Sequence, residues 1–207
     1  MKDIAILLPY KENFTQNNAA AASIWVKDYL SKSNLKNKTI VYGNLNKRNK
    51  PLLKNFKNLS LSNTFLSKNV SYTAKFYGEY LKYKFKIIEI HNRPESLIYL
   101  IKKKVNSKLI FVYHNNPQDL RSSYTPKERN FIANNTDQIY FVSNWVKMKF
   151  FENLPYKHRN NCEILYPAIN PLKKFPKKSN KIILSELFNK FILSITDFDP
   201  VIDKGSL

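Results

Sequence analysis

The fold is decided by two stretches that share one pattern, FKIIEIHNR at residues 85–93 and KLIFVYHNN at residues 108–116. Each is a short, mainly apolar run followed at once by a histidine and an asparagine. Apolar runs of this length are typical of strands that are buried on both faces of a parallel sheet. Because the carboxyl ends of parallel strands meet at one edge, the pattern predicts that His91 and His114 project from the same edge of a sheet.

The remaining sequence alternates strand-like and helix-like segments. Strands are predicted at residues 4–8, 39–42, 85–90, 108–113, 138–142 and 163–166, with a short one near residues 52–53. Helices are predicted at residues 19–30, 63–83 and 94–104, after a Thr125/Glu128 capping box, and from residue 144 to about 153. This alternation predicts an α/β fold, a Rossmann-like and mostly parallel sheet with helices on both faces.

Two of these helices carry finer predictions. In the first, Ile24, Trp25, Tyr29 and Leu30 are expected to form the buried stripe, and in the second Ser62 or Asn63 is expected to be the cap. One domain is predicted over residues 1–172, and residues 173–207 are expected to be a linker with an incomplete second domain or an aberrant tail.

Composition narrows the class of protein. The 207 residues carry a formal net charge of +20, which favours polyanions such as nucleic acid, acidic lipid or phosphorylated ligands. The lysines are dispersed, however, as on ordinary solvated faces. The single cysteine, Cys162, excludes an internal disulfide and is expected to be a buried thiol. Without a signal-peptide pattern or a long apolar run, the chain is expected to be cytoplasmic, with membrane contact only at its surface.

The polar residues after the strands are the candidate ligand contacts. His91 and His114 could hydrogen-bond a sugar hydroxyl, contact phosphate or act as bases, although each could equally cap a loop carbonyl. Arg93 could hold a carboxylate or phosphate, while Asn115 and Asn116 suit a polyhydroxylated ligand.

Other chemistries are disfavoured. The loop ending at Asn17 and Asn18 occupies the position of a phosphate-binding loop, but no GxGxxG pattern accompanies it, which argues against a dinucleotide enzyme. Ser143 lacks the glycines of a nucleophile elbow and is interpreted as a helix cap. The histidine spacing gives no zinc signature, and neither metal nor cofactor is predicted.

Five segments, taken in order, resemble the N-terminal half of a GT-B glycosyltransferase. The likeness is to the family 4-like retaining enzymes, which include bacterial cell-envelope mannosyl- and glucosyltransferases. The segments are IAILLP at residues 4–9, IIEIHNRP at 87–94, LIFVYHN at 109–115, TDQIYFVSNWV at 136–146 and ILYPAIN at 164–170. The resemblance covers about residues 2–180, and it implies sugar transfer from a nucleotide-sugar to a saccharide or lipid-linked acceptor, with retention and without metal.

The resemblance also assigns roles by position. His114 matches the cleft histidine near the reacting sugar, and His91, Asn92 and Arg93 face the acceptor. Asn17 and Asn18 lie in the loop that faces the donor diphosphate, although alanines at 19–22 stand where the family usually has glycine. Asn115, Asn116 and Ser143 complete the predicted substrate contacts.

The family's second domain, which binds the nucleotide-sugar through a basic pair and a Glu-x7-Glu motif, has no counterpart in these residues. We therefore expect a missing domain or a partner subunit to hold the donor, and little transfer by this chain alone. The principal alternative is a non-catalytic basic α/β module that binds nucleic acid or anionic membrane, but no basic helix or RNA-binding aromatic motif supports nucleic acid. Another doubly wound nucleotide-binding enzyme is a third hypothesis, disfavoured by the absent glycine fingerprint.

Overall fold

A parallel sheet organises the part of the chain that the computed structural model describes, which is residues 2–16, 19–45, 49–61, 67–156 and 159–167. Within these residues the sheet has seven strands in the order β3-β2-β1-β4-β5-β6-β7, and every neighbouring pair is parallel. The strands are β1 (Ile4–Leu7), β2 (Thr39–Gly43), β3 (Phe56–Asn58), β4 (Ile87–His91), β5 (Lys108–Tyr113), β6 (Gln138–Phe141) and β7 (Cys162–Ile164). The Rossmann-like α/β fold predicted from the sequence is confirmed.

Helices cover both faces of this sheet. They are α1 (Ala21–Lys32), α2 (Lys68–Tyr83), α3 (Pro94–Lys102), α4 (Pro126–Asn135) and α5 (Asn144–Phe151). The buried residues of α1 pack with Ile6, Leu8 and Val41 in one core cluster. Those of the other four helices pack with residues such as Ile88 and Ile90 in a second and larger cluster. The chain therefore has a core on each side of the sheet.

Strand periodicity assigns the residues of β4 to opposite faces. Successive side chains of a strand point to alternate sides. Since Ile88 and Ile90 belong to the core under α2–α5, Glu89 and His91 lie on the face that α1 covers. Contacts from α1 agree: Tyr29 hydrogen-bonds Glu89, and the Trp25 ring packs against the His91 ring. An acid and a base thus lie side by side on one face.

Three local predictions were wrong. Ile24 is not part of the buried stripe of α1, since its side chain is 46% exposed and Ala22 and Val26 are buried instead. Helix α2 begins at Lys68 with Ser67 as its cap, whose hydroxyl accepts from the Val70 amide, and the predicted caps Ser62 and Asn63 lie outside the described residues. The strand expected near residues 52–53 lies at Phe56–Asn58, where the backbone pairs with β2, and the Phe56 ring stacks on Phe14 at 5.0 Å.

Helix starts and the cysteine follow the sequence more closely. Both hydrogen bonds of the Thr125/Glu128 capping box are present, and the Ser143 hydroxyl accepts from the Val146 amide at the start of α5. Cys162 is buried, and burial raises the pKa of its thiol to about 12. None of the helices in the described ranges is long and apolar enough to cross a membrane. The predicted tail at residues 173–207 lies outside those ranges.

Candidate active site

The histidine pair lies where the strand order reverses. After β1 the chain builds β2 and β3 on one side and then returns to place β4 on the other. Clefts at such switch points are the usual ligand sites of open α/β sheets. His91 is the last residue of β4 and His114 directly follows β5. Their rings approach so closely that His91 Nδ1 lies 2.8 Å from His114 Nε2.

Behind the histidine pair lies a carboxylate that sequence reasoning missed. Glu89 Oε1 lies 2.6 Å from His91 Nε2 and also accepts a hydrogen bond of 2.7 Å from the Tyr29 hydroxyl. Burial, with Glu89 close by, raises the pKa of Tyr29 well above its ordinary value, so this hydroxyl keeps its proton and donates. The signal in the sequence was a lone acidic residue, two positions before His91, in an otherwise apolar strand.

This chain of contacts fixes the orientation of the rings. A carboxylate only accepts, so a neutral His91 donates from Nε2 to Glu89 and accepts at Nδ1 from His114 Nε2. His114 Nδ1 then carries a lone pair, and it has no hydrogen-bond partner among the described residues. His91 is 0% exposed and both its ring nitrogens are engaged. It therefore reaches a ligand only through His114.

Trp25 of α1 completes the cluster. Its ring meets those of His91 and His114 edge-on, with centroid distances of 5.3 and 5.6 Å. His114 itself is only partly buried and is the member of the pair that solvent reaches. Burial, together with the neighbouring His91, lowers the pKa of His114 to about 3. At neutral pH the ring is uncharged.

The lowered pKa of His114 predicts a dependence of stability on pH. In the unfolded chain the ring takes up a proton near pH 6.5, whereas in the folded chain it stays neutral down to about 3. The contribution of the neutral ring to the free energy of unfolding is therefore complete above pH 6.5, and it is lost progressively as the pH falls from 6.5 toward 3. We expect His114→Gln to reduce the slope of unfolding free energy against pH by about 1 kcal/mol per unit between pH 6 and 4. Urea titrations at several pH values measure it, and equal slopes for both proteins would contradict it.

The Asn92 side chain hydrogen-bonds the backbone at this edge of the sheet. It has a positive φ of 51°, a conformation that asparagine tolerates better than most residues. Its side-chain oxygen accepts hydrogen bonds of 3.3 Å from the amides of His114 and Asn115. Asn92 is buried, so this contact joins the ends of β4 and β5 and holds the His114 backbone in place.

The other predicted contacts differ in their surroundings. The Asn116 oxygen accepts from the Gln118 amide at 3.1 Å, and Ser143 is occupied as a cap. Asn115 is exposed. Asn17 and Asn18 lie outside the described residues. Ligand contacts by all these side chains stay predictions.

Arg93 and a second missed carboxylate, Glu12, lie next to the pair. Arg93 donates from Nη1 to the Asn92 carbonyl at 3.1 Å. Its Nε and one oxygen of Glu12 are buried without a hydrogen-bond partner in the described part of the chain. Burial raises the pKa of Glu12, and the nearby His91 and Arg93 oppose that shift. In the described ranges, no group of three or more His, Cys, Asp or Glu side chains is placed to hold a metal ion.

Comparison with solved structures identifies proteins with the same fold. HepE of Anabaena, solved in complex with UDP-glucose, matches with a TM-score of 0.60 and 12% identity over 89% of this chain and 50% of that one. Sucrose-phosphate synthase of Thermosynechococcus elongatus matches with a TM-score of 0.60 and 13% identity, over 88% of this chain and 52% of its own. UDP-N-acetylglucosamine 2-epimerase of Rickettsia bellii matches at 0.51 and 12%, over 95% and 51%. The shared fold is one Rossmann-like half of a GT-B protein.

At these identities the likeness is one of fold alone. The chain spans about half the length of each of these three proteins. No protein-family model matches the sequence, and no curated protein is significantly similar to it.

Proposed function

We propose that this chain supplies the acceptor-facing half of a glycosyltransferase that uses a nucleotide-sugar donor. The observation that carries the proposal is the Glu89–His91–His114 chain at the switch point of a GT-B-like sheet. Two of the proteins that share the fold have nucleotide-sugars in their names or complexes, UDP-glucose and UDP-N-acetylglucosamine. Because the chain matches half of each, we assign the nucleotide to a second domain or a partner subunit.

In the proposed reaction, a hydroxyl of a saccharide or lipid-linked acceptor attacks the anomeric carbon of the donor. The bond from that carbon to the diphosphate oxygen breaks, and the hydroxyl proton ends on the departing diphosphate or in solvent. The part assigned to His114 is to accept a hydrogen bond at Nδ1 from a sugar hydroxyl. With a pKa of about 3 it is too weak a base to take that proton away fully. We therefore assign His114 to orienting the sugar hydroxyl rather than to removing its proton.

The remaining residues support His114 in this proposal. Glu89 and His91 fix its tautomer, Asn92 fixes its backbone, and Trp25 packs edge-on against its ring. Such supporting contacts hold a reacting group within the narrow geometry that sugar transfer requires. We assign Arg93 and the exposed Asn115 to the acceptor side. If the acceptor is lipid-linked, we also propose peripheral contact with anionic membrane.

The test is a transfer assay in which the chain is present or absent. Extracts of cells that lack the gene, and of the same cells supplied with the chain, are incubated with radiolabelled UDP-glucose, UDP-N-acetylglucosamine or GDP-mannose. We expect one donor to give a labelled saccharide or lipid product that disappears on deletion and returns with the chain. If no labelled product from any of the three depends on the chain, the proposal is wrong.

A further inference from the structure

A cavity of about 590 Å³ has Arg93, two residues after His91, in its wall. Its walls come from the loop after β1, the first turn of α2, one side of α3 along its whole length, and the loop between β5 and α4. This volume lies in the range of clefts that bind small molecules. Neither His91 nor His114 lines it, so the cavity is a surface distinct from the histidine pair.

The lining of this cavity is strongly basic. Five cationic side chains face two carboxylates, Glu95 and Asp119; the cations are Lys11, Lys68, Arg93, Lys102 and Arg121. Glu95 is already engaged by the Asn69 amide at 3.1 Å. None of the five cations forms an ion pair with another described residue. An unneutralised cluster of this kind favours an anionic ligand.

Two independent features point to the same ligand charge. Arg93 Nε is a buried donor that no described residue satisfies. Leaving such a donor unpaired is costly, and an anionic oxygen would satisfy it. Helix α2 begins at the cavity, at Ser67, so one positive helix end lies at its wall, whereas α3 lines the cavity along its whole length.

The uncharged part of the lining suits a polyhydroxylated ring. Tyr10, Tyr99 and Tyr124 line the cavity, and a tyrosine side chain combines a hydroxyl with an apolar ring face. Asn69, Ser67 and Ser122 add further donors and acceptors. A bare inorganic anion would leave most of this surface and volume unused.

We propose that this cavity binds a phosphate group carried on a polyhydroxylated ring, so that the acceptor of the proposed transfer is a phosphorylated saccharide. That this ligand is the acceptor rests on the proposed function, whereas the binding of a phosphorylated ring in the cavity does not. The same chemistry occurs in a soluble sugar phosphate and in an inositol phospholipid headgroup. The experiment below separates these two sources.

Isothermal titration of the chain with glucose 1-phosphate, glucose and inorganic phosphate tests the soluble source. Co-sedimentation with phosphatidylcholine vesicles, with and without phosphatidylinositol, tests the lipid source. We expect one phosphorylated ring to bind at least about tenfold more tightly than glucose or phosphate alone. Arg93→Gln should weaken that binding about tenfold because it removes a charge-assisted hydrogen bond. The exposed Arg121→Gln should weaken it about threefold.

Lys108→Gln is the matched control, since it removes the same charge from an exposed residue at the opposite end of β5. It should leave affinity unchanged, and thermal melts establish that each variant folds. Binding of glucose 1-phosphate assigns the soluble source, and binding only to phosphatidylinositol vesicles assigns the headgroup. Absence of binding in both arms would overturn the inference, as would equal affinity for glucose or an equal loss in the control.

The two proposals fail separately. Affinity for a phosphorylated ring that responds to Arg93→Gln and Arg121→Gln, in a chain on which no sugar transfer depends, would keep the cavity assignment and remove the glycosyltransferase. Sugar transfer that depends on the chain, together with an affinity for the phosphorylated ring that neither substitution changes, would keep the glycosyltransferase and remove the cavity assignment.

Discussion

Replacing Arg129 by methionine is expected to lower the free energy of unfolding by about 3–5 kcal/mol, about 1 kcal/mol for each buried acceptor that loses its donor. The Arg129 side chain, in α4, is only 1% exposed and is among the largest fully buried side chains of the described residues. Its guanidinium donates to four backbone carbonyls, those of Phe150 (2.8 Å), Glu152 (2.7 Å), Tyr124 (2.6 Å) and Ser123 (3.2 Å). Methionine fills similar space but leaves all four acceptors without a donor.

The hydrogen bonds of Arg129 join three segments of the chain. They connect α4 to the end of α5 and to the loop that precedes α4. That loop also lines the basic cavity. Burial lowers the pKa of Arg129, and nearby Tyr113, Glu152 and Glu128 oppose the shift. The buried charge is therefore held by carbonyl dipoles rather than by a bonded carboxylate.

Urea unfolding followed by circular dichroism measures this effect. Arg121→Met is the matched control, because Arg121 is exposed and has no bonded partner among the described residues, so its loss should change stability by less than about 0.5 kcal/mol. A loss below about 1 kcal/mol for Arg129→Met would contradict the prediction, since it would mean that water replaces the guanidinium at little cost.

The elements that the sequence predicts best are those governed by local chemistry. Strand β5 matches its predicted bounds, Lys108–Tyr113, because six residues of strand-forming character end at a polar turn. The Thr125/Glu128 capping box is equally local, since both of its hydrogen bonds join residues three apart. For such elements the pattern contains all the information that the structure uses.

The start of α2 shows where local chemistry stops being sufficient. Residues 60–67 offer several side chains that could cap a helix, and propensity does not choose among them. In the structure the first turns of α2 pack on α3, through Asn69 with Glu95 and through Thr73 with Ser96. These contacts span more than twenty residues of sequence. They favour a helix that begins at Lys68, which no window around residue 63 reveals.

The position of the candidate site was predictable from the sequence, but the contacts among its side chains were not. Matching strand ends put His91 and His114 at one edge, where the structure has them 2.8 Å apart. Glu89 was missed because a single carboxylate in a lysine-rich chain resembles a solvent-facing residue. Trp25 was expected to be a core aromatic, and it is only 8% exposed, but its contact with both histidine rings depends on how α1 crosses the sheet.

His114→Ala is expected to reduce chain-dependent sugar transfer about 100-fold. Among the described residues at this edge, the alanine removes the one ring that combines partial exposure with an unengaged nitrogen. His91→Asn should reduce transfer about tenfold, since it disturbs only the orientation of His114. The rates are measured in extracts of the deletion strain supplied with each variant. Asn134→Ala, an exposed change in α4, is the control.

The pH profile separates an orienting role from a basic one. With a pKa of about 3, His114 stays neutral across the range from pH 5 to 8, so removing it should lower the rate by the same factor throughout that range. A general base that titrates near neutrality would instead give the wild type an acid limb that His114→Ala lacks. Such a limb would exclude the orienting role, and full activity of His114→Ala would remove His114 from the reaction.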